Sequence, residues 1–357
     1  MSHATPRCLF IVKKRMDTYG VSVGLLNSGF FVSNALNSIG IHSKIVSVID
    51  NNCIDKEVTE YKPTFVFIEA LWVVPEKFEV LCGLHPKVKF IVRIHSKTPF
   101  LAMEGMAIDW IRRYHEVAKK FPNLRLAANS KSLRDDIEGA LHLPCDLLMN
   151  IYMPKPKQSG SHEPALMDEI EYDNQPIKDR CSKKHTIDIG CFGAIRPMKN
   201  HLIQAMAAME FGDLIKRKVR FHINSNRVEQ KADHVLQNLI ALFQDSQHEL
   251  VEHPWMSHHD FLKTVKTMDL GLQVSLSESF NIVAADFISQ GVPIVVSQDI
   301  DWVSEASQAN PNSTEDIVKK LNRAWHGGWT NLPCANFKLL ERYNKNALKD
   351  WANYLKA

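Results

Sequence analysis

The sequence predicts an α/β protein made of two doubly wound domains with parallel sheets, and three observations carry that prediction. The chain has 357 residues, long for one hydrophobic core and ordinary for two. Short apolar β-type runs alternate with helix-length segments along most of it, the pattern of a parallel sheet wrapped by helices. The third observation is the stretch 275–297, SLSESFNIVAADFISQGVPIVVS, whose helix-like segment is framed by apolar runs at 270–274 and 292–296. A strand–helix–strand unit of this size is a βαβ crossover.

Composition narrows the class. A hydrophobic fraction of 45% and a charged fraction of 23% are those of an ordinary globular protein and exclude a disordered or fibrous chain. No apolar run reaches the length of a membrane span and residues 1–7 do not resemble a signal peptide, so a cytoplasmic protein is expected. Seven cysteines, an odd number with no CxxC pair, read as reduced thiols. The net charge of +3 does not by itself imply a nucleic-acid partner. A local basic groove stays open, with Lys13, Lys14, Arg15, Arg112 and Arg113 as its candidate members.

In chain order, residues 8–12 form an apolar strand, followed by an irregular loop containing Gly20 and Gly24 and a helix-period run at 25–39 that stops at Gly40. Residues 44–49, 65–68 and 89–94 read as strands, and ligands of such a sheet gather at the carboxyl ends of the strands. The GxGxxG fingerprint is absent from the first loop, which argues against a nicotinamide enzyme. His95 follows the strand at 89–94. A histidine there can bond a ligand hydroxyl or move a proton, or satisfy a loop carbonyl. Residues 108–120 form an amphipathic helix with basic side chains, a pattern usual for a solvated face. A strand at 124–128 and a helix begun by the run from Asn129 follow, and 147–150 reads as the last strand of this domain. The polar, proline-punctuated stretch 151–185 reads as a linker or surface excursion.

The second domain opens with a strand at 186–192 that runs into GAIRPMKN, residues 193–200, and a helix over 200–209. Gly193 permits a tight turn, and Arg196 and Lys199 are spaced to reach one anion, Arg as a planar fork and Lys as a point charge. The strand at 219–224 ends in Asn224, a helix is expected over 228–243, and Ser257 with Asp260 makes a capping-box-like helix start. His253, His258, His259 and Asp260 invite a zinc reading, which fails because adjacent helical residues point to different faces. In 275–297 the helix is expected to open just after Glu278 and is apolar on nearly every side, so Asp286 inside it needs a partner or a ligand. Glu278 lies by the free N–H groups of the first turn, an anion site. Asp299-Ile-Asp301 matches the short DxD pattern but follows the wrong strand for a metal, and no metal or cofactor is expected. A helix over 314–325 and an amphipathic helix over 338–356 close the chain, separated by Gly327 and Gly328.

Glu278-Ser-Phe-Asn-Ile-Val-Ala-Ala-Asp286, followed by Gly291-Val-Pro293, resembles the E-x7-E signature of GT-B-fold retaining glycosyltransferases, family 4-like (group 1). The likeness is specific over roughly residues 186–325 and looser over 8–150. It implies two Rossmann-like doubly wound domains facing across a cleft: an acceptor-side domain over 1–150, a nucleotide-sugar domain over 186–335, and a last helix, 336–357, crossing back to the first. By that resemblance Glu278 lies by the donor sugar, Asp286 takes the place of the carboxylate that holds the ribose, and Lys199 and Arg196 meet the donor diphosphate. Gly193, Asn224, Ser279, Phe280, Asn281 and Ile282 fall on the donor side, His95 matches a histidine near the reaction, and the loop of Gly20 and Gly24 lies by donor and acceptor. The sequence departs from the pattern in having Asp286 for the second Glu, Asn281 where Gly is usual, and Arg196 two positions late.

The resemblance implies metal-independent transfer of a sugar from a UDP- or GDP-type nucleotide sugar to a hydroxyl, with retention at the anomeric carbon. The acceptor stays open among a saccharide, a glycoconjugate and a hydroxylated base in DNA. Two other functions fit the same motifs: a sugar-nucleotide epimerase of this architecture and a catalytically idle nucleotide-sugar-binding protein.

Overall fold

A computed structural model of the chain describes residues 5–14, 23–154, 185–326 and 331–356. Two compact units appear: unit 1 is Met1–Asp168 with Tyr343–Ala357, and unit 2 is Glu169–Arg342. Gly20, Arg15, most of the stretch 151–185, and Gly327 and Gly328 lie outside the described residues.

Unit 1 holds strands β1 (Arg7–Lys13), β2 (His42–Val48), β3 (Phe65–Glu69), β4 (Lys89–Ile94), β5 (Leu124–Ala128) and β6 (Asp146–Leu147). All pairings are parallel, in the order β2-β1-β3-β4-β5-β6. β1, β3 and β4 are buried along almost their whole length because helices cover both faces. Alternate residues of β1 therefore feed two cores, Leu9 and Ile11 on one face and Cys8 and Phe10 on the other. The last helix, Leu332–Lys356, passes into unit 1 at Tyr343. There Trp351 is fully buried against Phe67 and Phe10, with ring centroids 5.0 and 5.8 Å away, and its indole N–H donates to the Met149 carbonyl at 2.8 Å.

Unit 2 holds β7 (Thr186–Gly190), β8 (Lys218–Asn224), β9 (Glu249–His253), β10 (Leu270–Gln273), β11 (Ile294–Ser297) and β12 (Gln308–Ala309). Their order is β12-β11-β10-β7-β8-β9, again all parallel. Counted from β7, this is the 3-2-1-4-5-6 order of a dinucleotide-type Rossmann sheet, with its reversal between β7 and β10. Gly190 and Gly271 sit side by side in those two strands. A Cβ on Gly271 would lie 2.6 Å from the Phe287 ring and one on Gly190 2.8 Å from it. The paired glycines thus form a seat that lets the helix Ile282–Ser289 press directly on the reversal point.

Several element bounds differ from the sequence expectation. The site helix starts at Ile282 and not just after Glu278, because Asn281 takes a left-handed φ of 63° and caps the helix there. Gly24 is an exposed residue in the first turn of the helix Val23–Ser38, not a loop residue. The helix expected over 228–243 begins at Asp233, after Gln230 and Lys231, which have φ of 57° and 55°. The strand expected at 147–150 is Asp146–Leu147.

Candidate functional site

The sheet reversal in unit 2 brings together two loops that are far apart in sequence: 191–200 after β7 and 274–281 after β10. Backbone and side chains lock them to one another. The Leu276 N–H donates to the Met198 carbonyl at 2.8 Å. Asn200, itself left-handed with φ 58°, donates to the carbonyls of Val274 at 3.1 Å and Pro311 at 2.8 Å. Gln204 accepts from the Val274 N–H at 2.7 Å and donates to the Lys199 carbonyl at 2.7 Å. Gln273, at the end of β10, donates to the Phe192 carbonyl at 2.9 Å.

The result is an ion pair between Lys199 and Glu278. Its side chains are 17% and 11% exposed, buried enough to escape full solvent screening and open enough to meet a ligand. The Glu278 N–H is held in turn by the Asp299 carboxylate at 3.0 Å. Asp299 thereby braces the loop, while Asp301 is exposed.

Arg196 and Lys199 do not converge on one group. Arg196 donates to Glu229 at 2.7 Å, and Arg227 donates to the same carboxylate's other oxygen at 2.7 Å. Burial acts to raise the Glu229 pKa, but the two guanidinium groups outweigh it and hold the carboxyl below its usual range. The Gly193 N–H, at φ 112°, donates to the Asn224 side chain at 3.0 Å, so those two residues form one corner after β7 and β8.

Asn281 stands where glycine is usual in the resembling signature, and its geometry explains why it serves. Asn tolerates the left-handed region, and its short amide bonds locally. Its oxygen accepts from the Ala284 N–H at 2.9 Å, and its nitrogen donates to Gln273 at 2.9 Å. Phe280 is buried against Trp302, with ring centroids 5.1 Å apart, and its carbonyl accepts from the Trp302 indole N–H at 2.9 Å. Ser279 and Ile282 are half-buried on either side of that turn.

Asp286 is 1% exposed, and the carboxylate faces a partner from another helix. His258, in His258–Lys266, donates its Nε2–H to Asp286 at 2.7 Å. Burial tends to lower the His258 pKa, but the hydrogen bond and charge of Asp286 more than compensate, and the net shift is upward. The sequence names His258 only as a rejected metal ligand and does not pair it with Asp286. The available signal was the need of a buried aspartate for a donor, and the histidine-rich run at 258–259 supplied one. Ser257 caps this helix by accepting from the Asp260 N–H at 3.2 Å, as expected, and His259 points away with 78% of its side chain exposed. His253 bonds His222 at 2.8 Å, and His222 donates to Asp188 at 2.9 Å, so the three histidines serve separate neighbours. Among the described residues no group of three or more His, Cys, Asp or Glu is placed to hold a metal ion.

In unit 1, His95 lies just beyond β4 beside a buried ion pair. Its Nε2–H donates to Glu69 at 2.6 Å, and Asn129 approaches its Nδ1 at 3.5 Å. Arg93 donates to the same Glu69 oxygen at 2.8 Å and to the Leu148 carbonyl at 3.0 Å, and it also bonds Asn150. Burial, aided by Arg93, lowers the His95 pKa against the pull of Glu69, and both ring nitrogens have neighbours within hydrogen-bond reach. Glu69 and Arg93 were not singled out from the sequence. A charge inside each of the apolar runs FVFIE and KFIVRI was the signal that could have found them.

No family model matches this chain, and no curated protein matches it by sequence. Solved structures match its fold. The trehalose-6-phosphate synthase OtsA gives a TM-score of 0.68 at 12% identity, covering 98% of this chain and 99% of that one. HepE from Anabaena, in complex with UDP and glucose, gives 0.64 at 12% identity over 98% and 99%. A UDP-forming α,α-trehalose-phosphate synthase from Burkholderia xenovorans gives 0.59 at 11% identity over 98% and 99%. At such identities the likeness is one of fold: the chain has the GT-B fold of two Rossmann-like domains.

Proposed function

We propose that the protein is a glycosyltransferase that moves a sugar from a nucleotide-diphosphate sugar to a hydroxyl acceptor with retention. The observation that carries this reading is the Lys199–Glu278 pair at the strand-order reversal of unit 2. A part-buried cation suits a diphosphate, and a carboxylate next to it suits sugar hydroxyls. Fold neighbours whose structures hold UDP, glucose or UDP-glucose support the donor class.

In the transfer, the bond from the anomeric carbon to the diphosphate oxygen breaks and a bond to the acceptor oxygen forms on the same face. The acceptor proton passes to the leaving diphosphate, so no protein nucleophile is required. Lys199 stabilises the charge that builds on the diphosphate, while Arg196, paired with Glu229, braces the loop that carries Lys199. Glu278 fixes the sugar through its hydroxyls once the donor has taken its place at Lys199. Asp286 acts through His258 on the nucleotide end, a contact made equally in ground and transition states.

Calorimetric titration with UDP and GDP, followed by NMR of the product anomer formed from UDP-glucose in a panel of hydroxyl acceptors, tests the reading. An absence of any nucleotide binding at millimolar concentration would sink it, and epimerised donor in the absence of acceptor would replace it by the epimerase alternative. Because the diphosphate charge is met by Lys199, turnover should survive EDTA. Loss of turnover that Mn²⁺ restores would instead assign a metal to Asp299 and Asp301.

Asp286→Asn should raise the donor KM with little change in kcat, as expected when uniform binding is removed. The same variant has a thermal signature. His258 has a folded pKa above its unfolded value, so its pairing stabilises the fold fully below about pH 6.5 and less as pH rises through the raised pKa. Wild type should therefore exceed Asp286→Asn in Tm at mildly acid pH, with the gap closing on the alkaline side. A gap that widened with pH would contradict the assignment.

A further inference from the structure

Unit 1 has a concavity of about 940 Å³ at the carboxyl ends of β1, β2 and β3, lined by Lys13, Lys14, Ile49, Trp72, Met106 and Trp110 among others. β1 and β3 are the neighbours at which the strand order of this sheet reverses, where doubly wound sheets take ligands. Ala70, also in the lining, has a left-handed φ of 72°, a strain that non-glycine residues keep where the surroundings demand it. The indole N–H of Trp72 is buried and meets no acceptor among the described residues.

The chemistry of the rim is two-sided. Ile49 and Met106 are 52% and 54% exposed, and Met103 and Ile108 beside Met106 in sequence are 46% and 42% exposed. Large apolar side chains exposed together, as Ile49 and Met106 are in this lining, mark a contact surface. The lining holds two cations, Lys13 and Lys14, and two carboxylates, Asp50 and Glu104, and each carboxylate is already held by a neutral donor. Asp50 spends its carboxylate on the Asn52 N–H at 2.7 Å, and Glu104 accepts from Ser96 at 3.4 Å. Lys13 and Lys14 have no carboxylate partner among the described residues. Conversely, the basic side chains of the helix Ala107–Lys120 that would suit a polyanion are largely neutralised. Arg113 pairs with Asp109 at 3.3 Å and with Glu76, Lys119 with Glu116 at 2.7 Å, and Lys120 with Glu79 at 3.2 Å.

We propose that this pocket binds an anionic amphiphile, a hydroxyl-bearing molecule with a long apolar portion and a phosphate-like headgroup. The apolar portion lies on Trp72, Trp110, Met106 and Ile49, and the headgroup is met by Lys13 and Lys14. Resting on the glycosyltransferase reading, this ligand is the acceptor, whose hydroxyl takes the sugar as balanced above.

The test uses the full chain and n-decyl phosphate below its micelle concentration, followed by calorimetry and tryptophan fluorescence. It should bind at least about tenfold more tightly than inorganic phosphate, since each buried methylene adds apolar transfer energy. The double variant Lys13→Ala/Lys14→Ala should weaken decyl phosphate and leave neutral decyl glucoside unchanged, whereas Ile49→Glu should weaken both. UDP binding, read separately, should be the same in every variant. Equal affinity for decyl phosphate and inorganic phosphate, or displacement of decyl phosphate by a short oligonucleotide that binds more tightly, would overturn the proposal. If decyl phosphate binds as expected but UDP does not bind at all, the nucleotide-sugar reading fails and the amphiphile site stands. The reverse result removes the pocket and keeps the donor site.

Discussion

Lys199→Ala should lower kcat by about two orders of magnitude or more, the loss typical of removing one preorganised charge-stabilising donor. The side chain lies in a half-sheltered place where a charge is worth more than on an open surface, and Glu278 is its partner when no donor is bound. That pairing adds a second readout. Glu278→Gln leaves Lys199 without its internal anion, so UDP itself should bind more tightly to this variant even as transfer of the sugar is lost. Initial rates with UDP-glucose, together with UDP titrations of both variants, check the pair of effects. If Lys199→Ala kept its kcat while Asp286→Asn lost it, the division of labour between the two loops would be wrong.

Arg93→Ala should be the most destabilising single substitution considered, costing about 3–5 kcal/mol because it strands the Glu69 carboxylate in the interior. Both side chains are fully buried, and Arg93 also ties β4 to Leu148 and Asn150 while its guanidinium lies 5.3 Å from the Trp351 ring centroid. Four neighbours therefore depend on one cation. Calorimetry should show the transition of unit 1 lowered by on the order of 10 °C, with the transition of unit 2 little changed. The pair Glu69→Leu/Arg93→Met should recover much of the loss, since apolar replacement of a whole buried ion pair is often near neutral. A double variant as unstable as Arg93→Ala would assign the loss to packing and not to the orphaned charge.

How much of this was legible in the sequence can be followed residue by residue. The strands and the βαβ unit at 270–297 were readable because an apolar run or a 3.6-residue period is a local property. The cap at Ser257 and the stop at Gly40 were readable for the same reason. The start of the site helix was misplaced by three residues because the anion-site argument favoured Glu278, whereas the chain turns at Asn281, whose amide satisfies both Ala284 and Gln273. Glycine is a common breaker and so reads as a loop residue at Gly24, yet at an exposed position in the first turn of a helix it is tolerated.

The order of residues along the chain by itself determined the α/β class, the alternation that makes parallel sheets, and the short list of charged residues near strand ends. Only the tertiary structure decided which of those charges meet. Lys199 finds Glu278 across 79 positions, His258 finds Asp286 across 28, and Arg196 turns to Glu229 across 33 and not to the group Lys199 holds. The physical reason is strand order. Two loops become neighbours where a sheet reverses direction, and that reversal, between β7 and β10 here, is set by how whole helices and strands pack and leaves no local mark on the sequence.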